Sequence, residues 1–214
     1  MKHALTGSGA LNELDAVTID AYGTLVTLLD PVPELAAALT ARGVTRERDV
    51  VVAGFRAEVT HYTAHSAEGH DEAGLARLQR ECTRVFLDVV GAKLDAEEFA
   101  PVYAGAMHFE VLPGVVAALE RLRSLGLEVA VVANWDLTLL RLLDEVGLGH
   151  FFRVVVHAAG KPSPDGLLQA LSRLGIDASR AVHIGDGEVD RLAAEAAGMR
   201  VVVGSLPEAV ATLA

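Results

Sequence analysis

From Ala104 onward, strand-like and helix-like segments alternate without a break, and that cycle restricts the chain to very few architectures. "PGVVAALERLRSLG" repeats apolar residues at helical spacing and stops at Gly126, "LEVAVVAN" is a short valine-rich run, and "DLTLLRLLDEVGL" is helical again. "FRVVVHA" then reads as a strand, "SPDGLLQALSRLG" as a helix opened by Ser163-Pro164, and "AVHIGD" as a strand. "DRLAAEAAG" follows as a helix and "RVVVG" as a last strand. Ahead of this cycle "DAVTID", residues 15–20, has the character of one more buried strand. Strands alternating with helices of this length imply a parallel sheet covered on both faces, with ligands bound beyond the carboxyl ends of the strands. The expected fold class is therefore α/β, a Rossmann-like three-layer core.

Residues 30–103 interrupt the cycle. "DPVPELAAALTARG", "RDVVVAGFRAEVTHYTAH", "DEAGLARLQRECTRVFLDVVG" and "DAEEFAPVYAGAMH" all have helical periodicity with no convincing strand between them. The expected organisation is a core of residues 1–28 and 104–214 with an inserted helical cap domain of residues 29–103. A plain second domain is the alternative. The insertion begins only ten residues after Asp20, so it is expected to hang over that carboxylate in either case.

The chain has 214 residues, 51% of them hydrophobic, which is enough to bury a sizeable core. A net charge of −11 with no Lys/Arg cluster argues against nucleic acid, because phosphate backbones are held by basic patches. The expected partner is a small molecule, and the expected assembly is a monomer or homodimer. Cys82 alone cannot form an internal disulfide, and no secretory leader is evident, so a cytoplasmic setting is expected. No apolar run reaches about 18 residues, so no membrane span is expected. "GSGALN", near Gly7, imitates part of a dinucleotide fingerprint, but it precedes the first strand and lacks the third glycine; it is set aside.

Four polar signals fall at the ends of the expected strands: Asp20 with Thr24, Ala133-Asn134, Lys161, and Gly185-Asp186 with Asp190. In a parallel sheet all of them share one edge. A strand-end carboxylate can attack phosphorus or carbon to form a covalent intermediate. A lysine beside it favours the ionised form, and a further acid, Asp186, can share a hard cation such as Mg²⁺ with Asp20. Thr24, Asn134 and main-chain N–H groups can hold substrate oxygens. Thr24 and Asn134 are equally read as turn formers, and Asp190 either orients its loop or touches the metal.

These segments resemble the motifs of the haloacid dehalogenase superfamily over nearly the whole chain. "DAYGTLV" looks like its first motif, "VVAN" its second, "GKPSPDGLL" its lysine motif and "IGDGEVD" its fourth, with the helical insertion in the place of the family's cap. The resemblance implies a hydrolase with Asp20 as nucleophile, Lys161 as the charge-balancing residue, and Asp186 and Asp190 as the acidic loop. It also implies that the main-chain carbonyl of Tyr22 meets the metal, and that the Tyr22-Gly23 turn contributes to substrate binding.

Two positions depart from the pattern. In the phosphatases of that family the residue two after the nucleophile is a second aspartate that serves as acid and base; here it is Tyr22, and a phenol is a poor substitute for a tuned carboxylic acid. A leaving halide needs no proton, and "DAYGTL" resembles the first motif of the L-2-haloacid dehalogenases. Those enzymes, however, resemble one another in a Ser-Asn pair, in a tyrosine six residues after the lysine, and in a metal-free fourth motif. Here the matching positions are Ala133, Leu167 and the acidic "GDGEVD". The leading expectation is Mg²⁺-assisted phosphoester hydrolysis of a small anionic substrate. The alternatives are metal-independent 2-haloacid dehalogenation and a binding or regulatory protein that keeps the fold without efficient chemistry. In the insertion, Arg56 is a candidate for meeting a substrate carboxylate. His61 and His65 share a helical face without a third ligand for zinc and read as polar surface.

Overall fold

The structure is a computed structural model that describes residues 14–213; "GSGALN" lies outside the described residues. In chain order the elements open with β1 (Ala16–Ile19), β2 (Val26–Leu28), α1 (Val32–Thr40), α2 (Arg48–His65), α3 (Glu72–Val89), α4 (Ala96–Gly105) and β3 (Phe109–Val111). They continue with α5 (Val115–Ser124), β4 (Glu128–Val132), α6 (Thr138–Glu145), β5 (Val154–Val156) and α7 (Asp165–Leu174). The last are β6 (Ala181–Gly185), α8 (Glu188–Ala196), β7 (Arg200–Val203) and α9 (Leu206–Leu213). The chain divides into two compact units, one running to Thr27 and resuming at Val111, the other Leu28–Glu110.

The first unit holds a parallel five-stranded sheet in the order β5-β4-β1-β6-β7. Its central strands, AVTI, EVAVV and AVHIG, are nearly continuous apolar runs, as expected where a sheet is buried on both faces. Alternation puts Ala16, Ala130, Val132, Val156 and Ala181 on the face packed by α7 and α8 through Leu167, Leu171, Ala193 and Ala194. Small residues on both sides of that contact let the helices lie close to the sheet. On the other side α5 packs on β4 and α9 on β6, completing the three layers. From β1 the chain builds outward through β4 to β5, then crosses to β6 and β7 on the opposite side of β1. The carboxyl ends of β4, β1 and β6 therefore meet at the switch point of the sheet. Thr18 and His183 break the apolar pattern of the two central strands, and they are register partners.

The second unit is built by α1–α4 around a core that includes Val32, Leu35, Leu39, Val51, Phe86 and Phe99. Its helices start where sequence chemistry places them: Asp71 accepts from the Gly74 N–H at 2.7 Å, and Asp95 from the Glu97 and Glu98 N–H groups at 2.8 and 3.0 Å. Phe86 is fully buried, with Phe99 at 6.4 Å and Tyr103 at 5.0 Å between ring centroids. Phe86→Ala is expected to lower stability by about 3 kcal/mol or more, from lost burial plus the cavity left behind, readable as a shift in the urea midpoint.

Two features were not legible beforehand. A two-stranded ribbon, β2 with β3, carries the chain out of the first unit and back; strands of three residues are too short to show a period. The helix α4 runs through the expected boundary at 103/104 to Gly105, and the units divide at 110/111, because helical packing and then the ribbon hold that segment.

Candidate active site

Every polar signal from the first unit arrives at the carboxyl edge of the sheet. Asp20 follows β1, Asn134 follows β4, Lys161 lies in the loop from β5 to α7, Asp186 follows β6, and Asp190 occupies the third position of α8. The Lys161 Nζ donates to Asp20 Oδ1 and to Asp190 Oδ1, both at 2.5 Å, and its side chain is only 2% exposed. Asn134 clamps the lysine loop. Its Nδ2 donates to the Lys161 carbonyl and its Oδ1 accepts from the Lys161 N–H, each at 2.8 Å. Of the two roles expected for this carboxamide, substrate oxygens or backbone, its geometry spends both ends on the backbone that carries Lys161.

Asp190 accepts three hydrogen bonds. Its Oδ2 accepts from the Gly187 N–H at 3.1 Å, as a first-turn carboxylate does when it caps its own helix. Its Oδ1 accepts from Lys161 and from His183 Nε2, the latter at 3.1 Å. Gly185 makes this possible, since a Cβ there would fall on the Asp190 carboxyl. Burial opposes ionisation of Asp190, but the His183 bond together with the charge and bond of Lys161 outweighs it and holds the pKa at about 2. Asp20 shifts the other way: burial and the neighbouring Asp190 charge push it up, against the opposing pull of Lys161 and the Ala21 N–H. Asp186 is also raised, by partial burial and by Asp190.

One oxygen from each of Asp20, Asp186 and Asp190 lies within 4.8 Å of the others. Asp20 and Asp190 share the Lys161 ammonium and Asp186 lies beside them; with all three ionised the group has two negative charges in excess, and oxygen donors of this kind suit a hard divalent cation. Asp20 and Asp186 have more acceptor capacity left for one than Asp190, whose Oδ1 already accepts two hydrogen bonds and whose Oδ2 accepts a third. Gly23, with φ +79°, turns the chain so that Asp186 can approach: a side chain at Gly23 would overlap the Asp186 carboxylate. In the same turn Ala21 accepts from Leu25 and Val26, and Val26 from Gly23. Among the described residues no main-chain N–H pairs with the Tyr22 carbonyl.

Thr24 is 1% exposed and its hydroxyl has no hydrogen-bond partner among the described residues. Tyr22 is half exposed, and its ring lies 6.5 Å from that of Trp135, whose Nε1 donates to Thr138 Oγ1 at 3.1 Å. Arg56 is an exposed residue of α2, in the other unit. His61 and His65 stack at 4.2 Å on that helix, and among the described residues they join no group of three metal-ligating side chains. Sequence reasoning missed His183. The signal was present, a histidine inside an otherwise apolar strand seven residues before an acid, but its other partner, Thr18, lies 165 residues away in the chain.

The model of one protein family, described as haloacid dehalogenase-like hydrolase, matches residues 14–198. The chain belongs to the haloacid dehalogenase-like hydrolases. It is 32% identical over 198 residues to phosphoglycolate phosphatase 1 of Pseudomonas aeruginosa, covering 86% of this chain and 66% of that protein. It is 34% identical over 222 residues to the phosphoglycolate phosphatase of Caulobacter vibrioides, covering 95% of this chain and 86% of the relative. Against the Pseudomonas relatives this hydrolase thus spans about two thirds of their length, 66% for the first. In fold it is similar to the crystal structure of L-2-haloacid dehalogenase from Xanthobacter autotrophicus with chloropropionic acid covalently bound. That likeness has a TM-score of 0.65 at 22% identity over 89% of this chain and 77% of the other. Among the described residues no helix of this haloacid dehalogenase-like hydrolase is long and apolar enough to cross a membrane.

Proposed function

We propose that this protein hydrolyses a small phosphate monoester through an aspartyl-phosphate on Asp20, with Mg²⁺ bound beside it. The observation that carries the reading is the Asp20-Asp186-Asp190 cluster beside one buried ammonium, which with all three acids ionised is two positive charges short of neutrality. The two phosphoglycolate phosphatases at 32% and 34% identity support the same reaction class. Asp20 and Asp186, with the Tyr22 carbonyl, would hold the ion, which when bound neutralises charge on the transferring phosphoryl group. Lys161, whose Nζ donates to two carboxylates, offsets the negative charge of Asp20 and of an incoming phosphate. Asp20 attacks phosphorus, the bond to the leaving oxygen breaks, and water then displaces the carboxylate from phosphorus. The Thr24 hydroxyl and the N–H groups of Tyr22 and Thr24 would be the donors for phosphoryl oxygens, since the Ala21, Gly23 and Leu25 N–H groups are already engaged.

Tyr22 restricts the leaving group. With no carboxylic acid at that position, esters whose leaving oxygen departs as a stable anion react best, and aryl phosphates are the clearest case. Tyr22→Asp is expected to raise kcat/KM for phosphoglycolate by roughly 10²-fold, the usual contribution of a general acid, while leaving p-nitrophenyl phosphate almost unchanged. Steady-state rates on the two substrates check it. Gly23→Ala is expected to weaken Mg²⁺ binding by roughly 10-fold or more, because it displaces Asp186, and isothermal titration reads this directly.

Tyr22 also favours the second reading, halide displacement from a 2-haloacid by Asp20, since a halide leaves without a proton. One set of assays separates the two: phosphate release from p-nitrophenyl phosphate with and without Mg²⁺, and chloride release from L-2-chloropropionate. Metal-dependent phosphate release is the expected result. Metal-free chloride release overturns it in favour of dehalogenation, and silence in both assays, with wild type and Asp20→Asn alike, assigns the chain to binding.

A further inference from the structure

We propose that His183 is a positioning residue that fixes Asp190, and through it Lys161, against Asp20. The inference rests on the reading of Asp20 as the attacking carboxylate, but its geometry stands independently. His183 and Thr18 are completely buried, and Asp190 is 1% exposed. His183 Nδ1 lies 2.8 Å from Thr18 Oγ1 and 3.1 Å from the Thr18 carbonyl, and Nε2 lies 3.1 Å from Asp190 Oδ1. Asp190 is a carboxylate that only accepts, so the proton on that side belongs to Nε2. The contacts form a circuit that leaves β1 at Thr18, passes through His183, Asp190 and Lys161, and returns to β1 at Asp20.

A purely architectural histidine does not account for this. The position is in the middle of an apolar strand beneath α7 and α8, where valine or isoleucine packs without any polar group to satisfy. What the histidine adds is a second donor on the same Asp190 oxygen that receives Lys161. Without it, Asp190 Oδ1 is held only by Lys161 Nζ and Oδ2 only by the Gly187 N–H, and the carboxylate can turn about its last bond. Lys161 can follow it, since its Nζ is attached to both acids and gives Asp20 only one of its hydrogens. The separation between Lys161 and Asp20, which sets the positive charge offered to substrate beside the attacking oxygen, then ceases to be fixed.

The test compares His183→Leu, which fills the strand without a donor, with His183→Gln, which keeps a donor near the place of Nε2. Two quantities are read in protein shown to be folded by circular dichroism: kcat and KM on p-nitrophenyl phosphate at saturating Mg²⁺, and the rate at which an amine reagent modifies Lys161 in metal-free protein, followed by mass spectrometry. His183→Leu is expected to lower kcat by roughly 10- to 100-fold with KM little changed, and to speed Lys161 modification by roughly 10-fold. His183→Gln restores most of both. The kcat loss is absent when His183→Leu is added to Asp190→Asn, because the effect passes through that acid. If His183→Leu does not fold, His183→Asn, too short to reach Asp190, takes its place. Wild-type kcat and wild-type Lys161 protection in a folded donorless variant overturn the proposal. A wild-type protein that releases no phosphate overturns the phosphatase reading alone, since the Lys161 modification rates still decide the role of His183.

Discussion

Asp20→Asn lowers the rate of phosphate release from p-nitrophenyl phosphate by roughly 10⁴-fold or more, and the acid-quenched protein carries no phosphoryl group by mass spectrometry. An amide oxygen is a far weaker nucleophile than a carboxylate, and the remaining cluster has no acid in the same place: Asp190 is committed to Lys161, His183 and its own helix. The variant remains folded. Burial already opposes the ionisation of Asp20, so removing its charge relieves a cost, and Lys161 keeps Asp190 as partner. A thermal midpoint equal to or above that of wild type, together with lost turnover, separates a missing nucleophile from a damaged fold. Wild-type turnover in Asp20→Asn excludes the covalent route.

Lys161→Met has the second large effect, on stability as well as rate. It leaves Asp20 and Asp190 facing one another in a buried site without their shared cation, and breaking such a pair costs about 3 kcal/mol or more at neutral pH. The pH dependence has a definite sign. In wild type the Asp190 pKa is depressed to about 2, so its stabilising contribution is complete above the ordinary carboxylate range and disappears as pH falls through that value. The variant lacks much of that contribution. Its deficit relative to wild type is greatest at pH 7 and narrows as pH falls from about 4 toward 2, as the acids protonate in both proteins. Urea unfolding in metal-free buffer across that range measures it. A deficit that widens on acidification contradicts the assignment of Lys161 as the partner of ionised Asp190.

Much of the first unit was legible because its information is local. A valine-rich run such as EVAVV and an amphipathic run such as DGLLQALSRL declare their period within one element, and strict alternation of the two allows few topologies besides a parallel sheet. The helices of the second unit were legible for the same reason, down to the span of α2 from Arg48 to His65. The three-residue strands of the ribbon and the terminal helix α9 escaped, the first because three residues carry no period and the second because Leu206–Leu213 is a short run just after a strand.

The candidate site divides along the same line. Periodicity and strand ends marked Asp20, Lys161, Asp186 and Asp190 as residues of one edge, which is a statement about backbone topology. Which side chain holds which is a different matter. Lys161 meets Asp20 across 141 residues, and His183 meets Thr18 across 165. Asn134 is spent on the Lys161 backbone instead of facing outward. The sequence by itself determined the alternating elements, the parallel sheet and the edge at which polar groups collect, because hydrophobic period and chain connectivity act over a few residues at a time. Only the tertiary structure decided that an asparagine clamp and an aspartate itself held by a buried histidine surround the lysine. Hydrogen-bond partners in a desolvated site are selected by distances of about 3 Å between groups that the chain itself holds far apart.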